Sequence, residues 1–196
     1  MLPTTTWAKT KEHQGADAGY LVYPVGTVRI GMHFDCSYRR VLTVPGTETH
    51  DWHGKSQPKL GGAIYLEVKN PDLTGEETGH VVVKRLQPGK YEFHKFAFSG
   101  STPVGGSVRW SPGTPFALPF SIRSGEATYV GSFMRSPSLG TPLQQALGAA
   151  GSFVVADRSD RNLPLARPQL PLATTVNREV PDVSQLRSEA LRNAMP

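Results

Sequence analysis

Residues 86–93 read Leu-Gln-Pro-Gly-Lys-Tyr-Glu-Phe, and this stretch decides the fold. Proline presets φ at the second position of a turn, and glycine accepts the positive φ that a type II turn needs at the third. The pair Pro88-Gly89 therefore predicts a type II turn between two strands. After the turn, Tyr91 and Phe93 alternate with polar residues, as in a strand that buries one face.

The aromatic residues that follow do not keep this alternation. Phe96 and Phe98 fall on the face opposite Tyr91 and Phe93 if the strand continues without interruption. A β-bulge inserts one extra residue and so resets the alternation of side chains. The sequence predicts a bulge at residues 94–95 that returns all four aromatic side chains to one core.

The composition favours the same kind of fold along the rest of the chain. The 196 residues include 20 glycines and 17 prolines, and only 19% are charged. Such a surplus of turn-forming residues argues against a helical bundle and for short strands joined by turns. Alternating or compact apolar segments predict further strands at 20–25, 28–36, 64–68, 80–86, 116–122, 127–134 and 153–156, and residues 160–167 predict a helical turn.

The chain divides into three parts by composition. Residues 1–18 are polar and unpatterned and are predicted to form a flexible N-terminal lead-in. Residues 19–170 contain the strand patterns and are predicted to form one β domain. Residues 171–196 are predicted to form a connector and a C-terminal helix.

The predicted C-terminal helix starts at Asp182. Gln185 lies three positions further on, as in a capping box, and Val183, Leu186 and Ala190 fall on one helical face. A terminal helix with one narrow apolar stripe is expected to dock on the sheet or on a protein partner.

The region 45–62 is rich in glycine, proline, charge and histidine, and it is predicted to be a long exposed loop. Within it, His50, Trp52 and His53 are the predicted binding residues, since an indole offers a stacking surface and imidazoles are ligands. Two imidazoles near carboxylates suit a divalent metal, but a site needs three or four converging ligands. The sequence therefore assigns no metal and no cofactor, and a metal-dependent hydrolase using this histidine-rich loop is the alternative function.

The charges and motifs exclude several function classes. The net charge of +5 is spread evenly, and Arg39-Arg40 and Lys84-Arg85 are pairs rather than the basic stripes of a nucleic-acid binder. The chain has no Gly-x-Ser-x-Gly elbow, His-Glu-x-x-His motif, P-loop or Gly-x-Gly-x-x-Gly fingerprint. The sequence predicts a protein that is not an enzyme and binds no nucleic acid.

Two phrases of the sequence resemble known families. Residues 86–93, with a leucine, a Pro-Gly turn and a Tyr-x-aromatic strand, resemble the transthyretin-like or carboxypeptidase-regulatory-like β-sandwich. Residues 124–131, Ser-Gly-Glu-Ala-Thr-Tyr-Val-Gly, resemble a strand of bacterial envelope lipoproteins of uncharacterised function. Residues 153–157, followed by Asp160 and 163–165, are similar to the strand and short helix that close those domains.

The resemblance implies an antiparallel, transthyretin-like (prealbumin-like) β-sandwich. It also implies export to the cell envelope, periplasmic or at the surface, with a membrane tether through a lipidated cysteine near the mature N-terminus. The chain has one cysteine, Cys36, which the alternation places on the core face of a strand. The expected role is a non-catalytic binding, assembly or structural module, and a cytoplasmic location is the alternative.

Overall fold

The computed structural model of the protein describes residues 12–27, 32–44, 47–56, 59–60, 71–101, 107–110, 115–136, 152–184, 186 and 191–193. This part of the chain is mainly β, with one short α-helix, so the predicted fold class is confirmed at that level. The predicted strand at 64–68 lies outside the described residues. The strands are β1 (Gly19–Thr27), β2 (Met32–Val44), β3 (Thr47–Ser56), β4 (Lys59–Leu60), β5 (Thr78–Leu86), β6 (Gly89–Ser101), β7 (Ser107–Trp110), β8 (Leu118–Ile122), β9 (Ala127–Tyr129), β10 (Ser132–Ser136), β11 (Ser152–Ala156), β12 (Val176–Arg178) and β13 (Leu191–Asn193).

The first sheet is mixed. Its strand order is β12-β9-β1-β10-β11-β13. In addition, β5 pairs with β1 along the whole strand from Gly19 to Thr27. β9 and β10 both run parallel to β1, and β12 and β13 add two more parallel pairs. The expectation of an antiparallel arrangement is therefore wrong for this sheet, because the chain enters β9 from the other sheet in the same direction as β1.

The second sheet is antiparallel throughout its described pairs. Its order is β3-β2-β6-β7, with β4 also paired to β2 and β8 to β6. The exposed Pro119 lies in β8, whose one strand partner among the described residues is β6. Proline cannot donate to a ladder, so this edge position is the one that the sequence predicted.

The predicted bulge in β6 is confirmed. Ser37 lies opposite Lys95 and the next residue, Tyr38, lies opposite Phe93, so that His94 is the extra residue. Tyr91, Phe93 and Phe96 are consequently all buried, whereas the side chain of Phe98 lies outside the described part.

The Pro88-Gly89 turn connects two strands, as predicted, but the strands belong to different sheets. β5 ends at Leu86 in the first sheet and β6 begins at Gly89 in the second. Gly89 has a φ of +156°, far from the value of about +80° in a type II turn, so the predicted turn type is wrong. The Tyr91 hydroxyl donates to the Gln87 carbonyl at 2.7 Å and braces this corner.

One aromatic core joins the two sheets. Phe96 of the second sheet lies 4.9 Å from Phe133 and 5.2 Å from Phe153 of the first, measured between ring centroids. Cys36 is fully buried in the same cluster, as its position in the alternation predicted. The short connections at residues 87–88 and 123–126 carry the chain between the sheets that enclose this core.

Helix α1 (Ser159–Ala166) covers the outer side of the first sheet, where the sequence predicted a helical turn. Its buried Asn162 donates from Nδ2 to the Tyr129 hydroxyl at 3.0 Å. Burial is the main cause that raises the pKa of Tyr129. No helix in the described ranges has the length and apolar character that crossing a lipid bilayer requires.

Two predicted elements differ from the structure. The predicted loop at 45–62 contains β3 and β4, because its residues complete the edge of the second sheet beside β2. The predicted C-terminal helix is also wrong over its described residues, since Asp182, Val183 and Leu186 are not helical and residues 191–193 form β13 beside β11, while residues 185 and 187–190 lie outside the described part. Val183 and Leu191 are buried in this chain's own core rather than on the face of a docking helix.

Candidate functional site

A cleft opens at one end of the shared core. Its volume is about 300 Å³, and both sheets and the segment before β1 contribute to it. The described residues around it are Glu12, His13, Gln14, Arg40, Arg85, Leu86, Gln87 and Tyr91, and most of them carry a polar or charged group.

Two arginines from different sheets meet at this cleft. Arg85 lies near the end of β5, opposite Tyr20 of β1. Arg40 lies on β2, opposite Tyr91 of β6 and two residues after the buried Tyr38. The corner at Pro88-Gly89 brings the end of β5 next to β6, and this places the two guanidinium groups around one space.

Arg40 is held by the corner itself. Its Nη1 donates to Gln87 Oε1 at 3.0 Å, and its Nη2 donates to the Pro88 carbonyl at 3.3 Å. Gly89 leaves room for this arrangement, because a Cβ at that position would lie 2.9 Å from Arg40 Nε. The guanidinium of Arg40 is therefore positioned by residues of the Leu-Gln-Pro-Gly stretch.

Arg85 is held by the N-terminal segment. Its Nη2 donates to the Gly15 carbonyl at 2.8 Å, and its backbone carbonyl accepts from the His13 amide at 3.2 Å. Its Nε is buried and has no hydrogen-bond acceptor among the residues that the structure describes. Nε and Nη2 are the two donors on one edge of the guanidinium group. The Gly15 carbonyl accepts from Nη2, which leaves Nε on the same edge without an acceptor in the described part.

Residues 12–18 run beside the cleft, with Glu12, His13 and Gln14 in its lining, and we refer to them as the strap. Within the strap, His13 Nε2 lies 2.8 Å from Asp17 Oδ1, and this hydrogen bond is the main cause that lowers the pKa of Asp17. Glu12 lies 3.7 Å from Lys84, and the Ala18 carbonyl accepts from the Gly125 amide at 3.0 Å. The strap thus packs along β5, which differs from the flexible lead-in predicted there. Residues 1–11 of that prediction lie outside the described residues, and the division into domains stays a prediction.

An aromatic and an aliphatic side chain, those of Tyr91 and Leu86, also line the cleft. Tyr91 is buried and stacks on Phe120 with the ring centroids 5.6 Å apart, and Leu86 is buried beside it. An aromatic ring fixed in this way gives a rigid surface below the two guanidinium groups.

The chemistry of these residues suits the binding of an anion. Planar guanidinium groups bind carboxylates through two parallel hydrogen bonds. The lining includes two arginines and one glutamate, which leaves a surplus of positive charge. His13 and Asp17 form a pair of the kind that activates a nucleophile, yet the described lining contains no serine, threonine or cysteine.

The predicted binding residues lie on β3 rather than on a loop. His50 lies opposite Val41, Trp52 opposite Arg40 and His53 opposite Arg39 in the β2–β3 register. Asp51 is the extra residue of a bulge between the first two of these pairs. The side chains of β3 lie outside the described part, so binding through His50, Trp52 and His53 stays a prediction.

The register places Trp52 next to the arginine of the cleft along the backbone ladder. It does not place His50 or His53 in a metal centre. Among the described side chains, no group of three His, Cys, Asp or Glu residues is close enough to hold a metal ion.

Neither Arg40 nor Arg85 is among the site residues that the sequence predicts. Both stand in dibasic pairs, and those pairs were informative only against nucleic-acid binding. The two residues are 45 positions apart, so only the pairing of their strands with different sheets brings them together. A basic pair directly before the Leu-Gln-Pro-Gly corner was the one signal that the sequence carried.

Comparison of the chain with protein-family models, with curated proteins and with solved structures finds no match.

Proposed function

We propose that this protein is a non-catalytic binding module that holds a small organic carboxylate between Arg40 and Arg85. One observation carries the proposal. Guanidinium groups from two sheets line a single cleft of about 300 Å³, and the buried Nε of Arg85 has no acceptor among the described residues.

A buried donor without an acceptor costs about 1–3 kcal/mol, and more when it belongs to a charged group. A carboxylate has two oxygens with the spacing of the guanidinium edge, so it would satisfy Nε and Nη2 of Arg85 together. Arg40 would contribute a second cation from the opposite side of the cleft. The gain on binding therefore includes the relief of an unfavourable arrangement in the free protein.

The size and lining of the cleft restrict the ligand. A volume of about 300 Å³ is at the lower end of the range for small-molecule pockets. The buried face of Tyr91 favours a ligand with an apolar or aromatic part, and the single surplus positive charge favours a monoanion. We therefore infer that the ligand is a small monocarboxylate with an apolar body.

The wider setting of the module is inferred from the resemblance of residues 86–93 and 124–131. On that basis we propose a protein of the cell envelope with a membrane tether, and a transthyretin-like relation between its two sheets. The antiparallel order β3-β2-β6 and the aromatic core support the latter relation, and the parallel pairs of β1 depart from it. The proposed role needs neither cofactor nor nucleic acid.

The binding of benzoate tests this proposal. We expect benzoate to shift the amide resonances of residues 85–91 saturably in an NMR titration. Arg40→Ala and Arg85→Ala should each weaken binding by about tenfold or more, because each removes a charged hydrogen-bonding group. Arg178→Ala is the matched control, since Arg178 is an exposed arginine on strand β12 and its removal changes the net charge equally.

Inorganic phosphate and succinate complete the experiment. A monocarboxylate site should prefer benzoate to both dianions at the same ionic strength. The proposal is wrong if benzoate causes no saturable shift, or if Arg178→Ala weakens binding as much as the two cleft variants do.

A further inference from the structure

The strap and an anionic ligand require the same edge of Arg85. The Gly15 carbonyl occupies Nη2 of that edge, while the neighbouring Nε is buried and has no acceptor in the described part of the chain. A carboxylate that binds both donors must replace the Gly15 carbonyl, since the two would occupy the same position.

We propose that residues 12–18 form a cover that carboxylate binding displaces from Arg85. This inference rests on the proposed function, because it assigns the regulation of the same site. In the free protein the strap closes the cleft through Arg85, and in the bound protein the ligand replaces the strap on the guanidinium.

The contacts that hold the strap indicate that its N-terminal end can detach from β5. Near its N-terminal end, the described contacts with β5 are the His13 amide bond at 3.2 Å and the Glu12–Lys84 pair at 3.7 Å. The side chains of that pair are partly exposed, and ion pairs of this kind contribute about 0–1 kcal/mol. Among the residues that the structure describes, Arg85 therefore makes the main contact that holds this end of the strap.

The other end of the strap is fixed. The Ala18 carbonyl accepts from the Gly125 amide at 3.0 Å, and β1 begins at Gly19 in full register with β5. Gly19 directly follows this fixed end, and Gly15 lies three residues before it. Loss of the Arg85 contact would therefore let residues 12–17 swing away about the backbone of Ala18, whose carbonyl stays on the Gly125 amide while its own amide moves with the strap.

The carbonyl that loses Arg85 is not left without a donor. Gly15 also accepts from the Ala18 amide at 3.2 Å, and the His13–Asp17 bond lies entirely within the strap. The strap can move as one unit that keeps its internal hydrogen bonds. The cost of opening is therefore confined to its contacts with β5.

Glu12 adds a competing charge to the closed state. Glu12 lines the cleft, and its Oε1 lies 3.7 Å from Lys84 Nζ. Displacement of the strap removes this negative charge and raises the attraction of the cleft for an anion. Opening of the strap and binding of the anion therefore favour each other.

Amide hydrogen exchange of the full chain tests the cover, with benzoate as the probe. Saturating benzoate should accelerate exchange of the His13 amide by about tenfold, the factor expected when one hydrogen bond to a charged group no longer holds the strap. Amides of β1 and β5 that pair with each other should not change, which separates opening of the strap from unfolding of the sheet.

Two variants separate the cover from the binding site. In Arg85→Ala the His13 amide should exchange rapidly without any probe, because the side chain that holds Gly15 is gone. In Arg40→Ala the strap should stay protected without benzoate, because Arg40 binds the corner rather than the strap. Acceleration of the His13 amide in this variant should need about tenfold more benzoate, in step with its weaker binding.

Each failure has its own result. If benzoate binds the unmodified protein while the His13 amide stays as protected as before, the cover is disproved and the proposed function stands. If Arg85→Ala leaves the strap protected, the cover is disproved as well. If benzoate does not bind at all, the proposed function fails and the displacement inference fails with it.

Discussion

The ring of Tyr23 stands edge-on against the ring of Phe93, with the centroids 5.2 Å apart, although the two residues belong to different sheets. Phe93 also contacts four other rings, those of Tyr38, Phe96, Phe120 and Phe133. It is the point at which the bulged strand β6 meets the strands of the first sheet. The bulge at His94 therefore matters for stability, since it is what keeps the face of Phe93 in phase with that of Phe96.

Phe93→Ala should be among the most destabilising single substitutions in this core. Removing a buried phenylalanine ring costs about 3–5 kcal/mol, a large fraction of the stability of an ordinary domain. Phe93→Leu keeps most of the volume and should cost less than half as much. Urea unfolding at equilibrium measures both, and equal losses for the two variants would contradict the packing described.

Leu191→Ala should destabilise the isolated chain by about 2–4 kcal/mol. Leu191 is buried and β13 pairs with β11, so its side chain belongs to the chain's own core. Leu172→Ala is the matched control, because Leu172 is 97% exposed, and its stability should change by less than about 0.5 kcal/mol.

The same pair of variants also tests the sequence-based prediction of a C-terminal helix that docks on a partner. A helix that docks on a partner would leave the unfolding of the monomer unchanged in Leu191→Ala and alter its sedimentation instead. We expect the reverse, with a lower urea midpoint and an unchanged sedimentation coefficient.

Asp157→Ala should reduce stability at neutral pH by at most about 1 kcal/mol, since the carboxylate is exposed and accepts one hydrogen bond from the first amide of helix α1. Its Oδ1 accepts from the Ser159 amide at 2.9 Å, and hydrogen bonds from Ser159 lower the pKa of Asp157. A lowered pKa in the folded state stabilises the fold above the unfolded pKa of about 3.9. That contribution is lost as the pH falls through the folded value.

The difference between the variant and the unmodified protein should therefore be full at pH 6 and disappear between about pH 4 and pH 2. Thermal unfolding across this range measures it. Asp160→Ala is the control, because Asp160 is 96% exposed, and its effect should be small at every pH. A difference for Asp157→Ala that grows on acidification would contradict a stabilising hydrogen bond between the Asp157 carboxylate and the Ser159 amide.

The protein purified without a histidine tag should contain far less than one metal ion per chain. His50 and His53 offer two imidazoles on an edge strand, and a stable site needs at least a third ligand. Elemental analysis measures the content. A stoichiometric metal that is lost in the variant with both His50→Ala and His53→Ala would support the alternative of a metal-dependent hydrolase.

Local patterns in the sequence were sufficient for the elements whose cause is local. The alternation around Cys36, the bulge at residues 94–95, the edge position of Pro119 and the short helix near residue 160 all follow from neighbouring residues. Each depends on side-chain period, turn chemistry or a missing backbone donor, and these act over a few positions in the chain.

The C-terminal segment shows where such patterns mislead. The spacing of Val183 and Leu186 fits a helical face, and a capping box at Asp182 strengthens that interpretation. In the structure Val183 instead fills the core and residues 191–193 pair with β11. Burial in an existing core and a free sheet edge outweighed a helix propensity that amounts to tenths of a kcal/mol per residue.

The sequence by itself determined that the chain is mainly β, that two strands are joined at Pro88-Gly89 and which face of β6 is buried. Only the tertiary structure decided that the Pro88-Gly89 corner changes sheets, that β9 and β10 run parallel to β1, and that Arg40 and Arg85 share a cleft. The physical reason is the separation along the chain between the residues that determine each feature. Side-chain alternation and turn conformation depend on adjacent residues, whereas strand partners and the cleft depend on contacts between residues that are distant along the chain.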